Sequence, residues 1–183
     1  MKKLEKVVME HPWQSPSAIA HVQLLQDSFR HWFGQELLSL GLNHAGCADS
    51  VKFDSAPSDS VLADPVQAAT ALYYAPFALL SHGAQADPIL NYGNQTALVL
   101  WDRSWDDFTT MPSRLTAEPE VREGRSQLLA QAKQQGYLTD YEGVRISKTG
   151  QRFLIRKAMI WRVFDAAGQV QGQAAAFQDW QRL

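Results

Sequence analysis

Residues 75–108 read APFALLSHGAQADPILNYGNQTALVLWDRSWDDF, and this stretch decides the fold class. Residues 75–82 are mostly apolar, with Pro76 near their start and Gly83 just past their end, which predicts a strand. Residues 89–92 predict a second, short strand. Asn94 follows where a helix cap belongs, because its side-chain oxygen can accept an orphan amide of the first turn. Ala97, Leu98 and Trp101 then form the inner face of a short helix. Ser104 and Asp107 have capping-box spacing and open another short helix carrying Trp105 and Phe108. Two strands followed by two capped short helices open an α/β domain.

The chain downstream agrees. Residues 111–119 form a Pro-bounded connector, and residues 118–135 predict a helix. Acidic Glu118, Glu120 and Glu123 lie near its start and Lys133 near its end, as the helix dipole favours. Gly136 suits its stop. Three strand-like segments finish the chain: residues 137–147, 153–165 and 170–180. The turns between them, KTGQ and DAAGQ, each carry a glycine. Simple alternation puts Phe153, Ile155, Met159, Trp161 and Val163 on one face of the middle strand. The predicted sheet is antiparallel, with one face on a core and the other partly covered.

Upstream, a helix capped by Ser15 or Ser17 is predicted to run to Leu40, with Gly41 as its stop. Ala18, Val22, Leu25, Phe29 and Trp32 step alternately by four and three. Two readings stand: a face packed on its own domain, or a dimer seam. Residues 43–60 form a polar loop, and residues 61–74 carry a second helical pattern. The domain division is therefore 1–60, a helical extension with a polar loop, and 61–183, the sheet domain.

Composition narrows the function classes. The chain has 183 residues, 45% hydrophobic and 20% charged, as expected of a globular domain. A net charge of −2 argues against a broad nucleic-acid face. The single Cys47 excludes an intrachain disulfide or a cysteine-built metal site. No apolar run reaches the length of a membrane span, and residues 1–13 lack the apolar centre of a signal peptide. A cytoplasmic protein without membrane or nucleic-acid partners is expected.

These residues support a resemblance. ILNYGNQTALVLWDRSWDDF looks like the early core of PAS domains, and SKTGQRF and FDAAGQVQG resemble the two turns of their C-terminal meander. More narrowly, APFALLSHGAQADPILNYGN, MPSRLTAEP and GYLTDYEGVRISKTGQRFLI resemble the MEKHLA family over residues 18–180. That family comprises PAS-related domains in stand-alone bacterial proteins and at the C-terminus of plant homeodomain–leucine zipper regulators. The resemblance implies a PAS-like five-stranded antiparallel sheet with short helices on one face, preceded here by the helical extension. It also implies a sensory or binding role and names no cofactor. The plant homeodomain and zipper have no counterpart in this chain.

The residues offer little for catalysis. None of the five histidines lies on the long helix or the last three strands, where PAS domains commonly present a haem ligand. Cys47 precedes the core, away from where a light-sensing flavin domain needs its cysteine. Ser81 and His82 are strand neighbours and point to opposite faces, so adjacency makes no dyad. Neither haem, flavin, metal nor catalytic residues are assigned.

Binding is the expected chemistry. By analogy, a pocket between sheet and short helices is lined by Leu79, Ser81, Tyr92, Trp101, Trp105, Phe108, Leu115, Tyr141, Trp161, Val163, Ala175 and Phe177. Arg114 and Arg145 are candidate anion clamps if either points inward. The expected function is a non-catalytic sensor for a small, partly apolar molecule, anionic in that case, which signals through a partner or a homodimer. The alternative is an interaction or dimerisation module with a filled core and no ligand.

Overall fold

The structure, a computed structural model, describes residues 11–43, 64–118 and 135–183. Cys47 and most of the helix expected at 118–135 lie outside the described residues.

Among the described residues, six strands form one antiparallel sheet: β1 (Ala78–Gly83), β2 (Leu90–Gly93), β3 (Tyr137–Ile146), β4 (Arg152–Phe164), β5 (Val170–Phe177) and β6 (Asp179–Arg182). Their order is β2-β1-β5-β4-β3, with β6 also on β4. The expected fold class therefore holds, with one strand more than predicted. The last predicted strand splits at Gln178 because its partner bends. β4 is 13 residues long, and Lys157 near its middle is left-handed, with φ 52°. β5 pairs with the far half of β4, Met159 to Phe164, and β6 with the near half, Phe153 to Arg156.

The same bulge corrects the face assignment. Phe153 and Ile155 lie on one face and are joined after the bulge by Ala158 and Ile160. Met159, Trp161 and Val163 lie in the core on the other face. An extra residue inverts the alternation beyond it, so the five residues expected on one face divide between two.

The outer face is covered by α1 (Pro16–Phe33) and α2 (Pro65–Tyr73). Ser15 caps α1 through a bond from the Ala18 amide. The helix ends at Gly34, φ 67°, rather than running to Leu40. Left-handed backbone suits glycine and stops the helix there. Residues Leu37–Asn43 continue as a tighter helical turn, which is why apolar spacing persisted past the stop. α2 begins at Pro65 rather than 61, with Asp64 accepting the Val66 and Gln67 amides. Leu25 and Phe29 on α1 are fully buried against the sheet, each worth roughly 1.5–3 kcal/mol. Phe29 meets Trp161 edge-on at 5.0 Å. Trp32 Nε1 donates to the Arg162 carbonyl at 2.9 Å, and Ser28 Oγ accepts from the Phe164 amide at 3.1 Å. The alternating run on α1 thus faces its own sheet.

The inner face is covered by α3 (Gln95–Trp101) and α4 (Trp105–Thr109). Ser104 caps α4 as predicted, accepting from the Asp107 amide. Asn94 does more than cap α3. Its Oδ1 accepts from the Ala97 amide at 3.1 Å and the Leu79 amide at 2.9 Å. Its Nδ2 donates to the carbonyls of Phe77, at 2.7 Å, and Leu72, at 3.3 Å. One buried side chain therefore fixes α3, β1 and the end of α2 together.

Candidate ligand site

On the inner face, residues from five strands, β1 to β5, border a space beneath Trp101 of α3 and the turn Ser113–Thr116. Strand register sets them in rows. Leu80 pairs with Ala175, which pairs with Ile160. One step along, His82 pairs with Gln173, which pairs with Arg162. The sheet is apolar in the middle and polar at this end. Between the sheet and Trp101 lies a narrow slot of about 50 Å³, bordered by Ile155, Ala158, Ile160, Ala175 and Phe177. Such a volume holds a few waters or a small headgroup.

Arg145 stands at one end of the slot, only 6% exposed. Its place follows from the β3 backbone. Asp140 is left-handed, φ 56°, and register shifts flank Tyr141. Tyr141 and Arg145 then share a face, four residues apart. Arg145 Nη1 donates to the Val144 carbonyl at 2.8 Å and Nη2 to the Tyr141 hydroxyl at 2.9 Å. Its guanidinium carbon lies 5.3 Å from the Tyr141 ring centroid. A guanidinium has five N–H donors, so donor capacity remains. No carboxylate pairs with Arg145 among the described residues, whereas Arg30, Arg114, Arg152 and Arg156 all have one. A buried charge lacking a counterion is costly, and this one lies against open space.

The site therefore lies inside a sheet covered by short helices on one face and by the N-terminal helix on the other. The MEKHLA domain profile matches residues 19–182. The chain belongs to the MEKHLA domain family. Its fold is similar to that of a PAS domain from Colwellia psychrerythraea, with a TM-score of 0.54 and 19% identity over 64% of this chain and 94% of that one. It is also similar to a light-oxygen-voltage domain studied with a flavin analogue, with a TM-score of 0.51 and 17% identity over 63% of this chain and 83% of that one. No curated protein matches the chain significantly in sequence. The MEKHLA domain thus has the PAS-like fold expected from its sequence.

The structure brings six of the predicted pocket residues to the slot: Ser81, Trp101, Tyr141, Arg145, Ala175 and Phe177. Four others, Leu79, Tyr92, Trp161 and Val163, belong to the opposite core beneath α1 and α2. For Trp161 and Val163 the cause is the Lys157 bulge. Phe108 packs behind the slot, 5.8 Å from Trp101. Trp105 meets Tyr92 edge-on at 5.5 Å. Arg114 does not point inward: it is half exposed and pairs with Asp87 at 3.0 Å. Leu115 is exposed. Sequence reasoning missed Leu80, Ile155, Ala158, Ile160 and Gln173 as slot residues. Strand alternation would have found Ala158 and Ile160 once the bulge at Lys157 was located.

Ser81 borders the slot, but its side chain is engaged on the other face. Its Oγ donates to Asn91 Oδ1 at 2.6 Å and lies 2.8 Å from His21 Nε2. With the hydroxyl proton committed to Asn91, the imidazole must be the donor to Ser81. His21 therefore does not act on Ser81 as a base, and the serine is not activated as a nucleophile. Burial lowers the His21 pKa to about 4. Burial also raises the Tyr92 phenol well above its ordinary value, and its hydroxyl has no partner among the described residues. Among the described residues no three His, Cys, Asp or Glu side chains converge on a metal position, and no helix is long and apolar enough to cross a membrane.

Proposed function

We propose that this MEKHLA domain is a non-catalytic sensor for a small, partly apolar carboxylate whose anionic end is held by Arg145. The observation that carries this reading is the burial of Arg145 beside the slot without a carboxylate partner among the described residues. A ligand carboxylate would supply the counter-charge in bidentate geometry. Ala158, Ala175, Ile155 and Trp101 would cover the apolar part.

The slot is too small for a whole metabolite, since ligand pockets usually enclose about 300–1,000 Å³. Entry therefore requires widening, and widening is the signal. Trp101 closes α3, so its displacement moves the short helices that connect to Asn94 and β1. In this reading residues 61–183 sense, and the 1–60 extension carries the change to a partner protein or a second copy of the chain in the cytoplasm. Native mass spectrometry of protein purified from its own host tests the proposal. A retained small acid supports it; consistently ligand-free protein opposes it.

The slot volume itself, about 50 Å³, favours a second reading: an interaction or dimerisation module whose core is effectively filled. That module would show no saturable change of stability with any small carboxylate.

A further inference from the structure

Beyond the slot, the inner face opens into a groove of about 470 Å³. Among the described residues it is bordered by His82, Gly83, Gln85, Arg162, Gly172 and Gln173. Its floor is bare backbone, because Gly83 and Gly172 pair across β1 and β5. A Cβ at Gly172 would strike the His82 carbonyl, so glycine is demanded by the close approach of the two strands. His82 and Gln173 border both the groove and the slot. The two spaces therefore meet at the polar row His82–Gln173–Arg162.

Arg162 is the second cation of this channel. Its backbone is bonded to Gly136 and Trp32. Its guanidinium makes no hydrogen bond or ion pair among the described residues. Along β4, Arg162 lies four residues from Ala158, about 13 Å of strand. Ala158 pairs with Tyr141, to whose hydroxyl Arg145 reaches. One channel thus has an uncompensated guanidinium at its buried end and another at its mouth, with apolar wall between.

We infer that the ligand is a linear dianion, a medium-chain α,ω-dicarboxylate, with one carboxylate on Arg145 and the other on Arg162. This rests on the proposed role of Arg145 and adds the second contact. Arg162 is partly exposed, so replacing it leaves the core intact.

The test is isothermal titration with octanoate and octanedioate, which share chain length and differ in the second carboxylate. The wild-type protein is expected to bind the diacid at least about tenfold more tightly, the worth of one charge-assisted contact. Arg162→Gln should bring the diacid down to the monoacid's affinity while leaving the monoacid unchanged, and Arg162→Lys should restore part of the preference. Arg145→Gln should weaken both acids. Equal binding of the two acids by the wild type, or an undiminished diacid preference in Arg162→Gln, overturns the dianion and leaves the Arg145 reading in place. Binding of neither acid, or monoacid binding indifferent to Arg145→Gln, overturns both.

Discussion

Arg145 Nη2 donates to the Tyr141 hydroxyl at 2.9 Å, and together the two side chains close one end of the inner-face slot. The bond aims the guanidinium along the sheet without neutralising it. A phenol satisfies one donor but supplies no counter-charge. In the proposed reading this is one half of a charge pair, and the ligand carboxylate is the other half.

Asn94 makes four side-chain hydrogen bonds, two accepted and two donated, in a fully buried position. Asn94→Ala strands two amides and two carbonyls and should cost on the order of 2–5 kcal/mol. Asn94→Asp keeps the acceptors but loses both donors and buries a charge, so it should be at least as damaging. Urea denaturation midpoints check the order.

Opposite faces of the sheet predict opposite phenotypes. Trp161 is fully buried under α1, and Trp161→Ala should lose about 3–5 kcal/mol. Ala175 borders the slot, and Ala175→Leu should fill it at modest cost and abolish ligand binding. Chemical denaturation and titration with octanoate separate the two effects.

Glycine replacements separate backbone strain from collision. Gly34, φ 67°, has open space around its Cβ position, so Gly34→Ala should cost about 1 kcal/mol. At Gly172 the new methyl meets the His82 carbonyl. Gly172→Ala should therefore destabilise at least twice as much and break the β1–β5 pairing. Amide exchange at the Leu80 and His82 amides reads that pairing directly.

His21 makes stability depend on pH. Burial lowers its folded pKa from 6.5 to about 4. Between these values the unfolded chain binds more protons, so stability rises with pH. The contribution is complete above pH 6.5 and is lost progressively as pH falls toward 4. His21→Gln, which retains a donor for Ser81, should flatten this part of the profile. An unchanged slope would assign the dependence to other groups.

The short-range signals were legible in the sequence. Asn94 and Ser104 announced their caps, and the two glycine turns marked the hairpins. The bulges at Asp140 and Lys157 were not legible, because nothing local marks a left-handed lysine. Missing one residue of register inverted half of β4, and Trp161 and Val163 were assigned to the wrong face. The end of α1 was obscured because Leu37 and Leu40 continue the apolar spacing in a tighter turn. Arg145 and Arg114 were equal candidates in sequence. Only tertiary structure brings Asp87, 27 residues away in the chain, to Arg114 and leaves Arg145 without an acid among the described residues.

In the proposed function Arg145 is buried for a ligand rather than for the fold, and melting temperatures with and without octanoate distinguish the two. Replacing an unpaired buried charge by an apolar side chain of similar length should be neutral or stabilising. Arg145→Met is therefore expected to melt at or above the wild-type temperature without ligand, and to lose the rise that octanoate gives the wild type. A ligand-free variant that melts well below the wild type would assign Arg145 to the fold, and a variant that keeps the full octanoate shift would remove Arg145 from the ligand site.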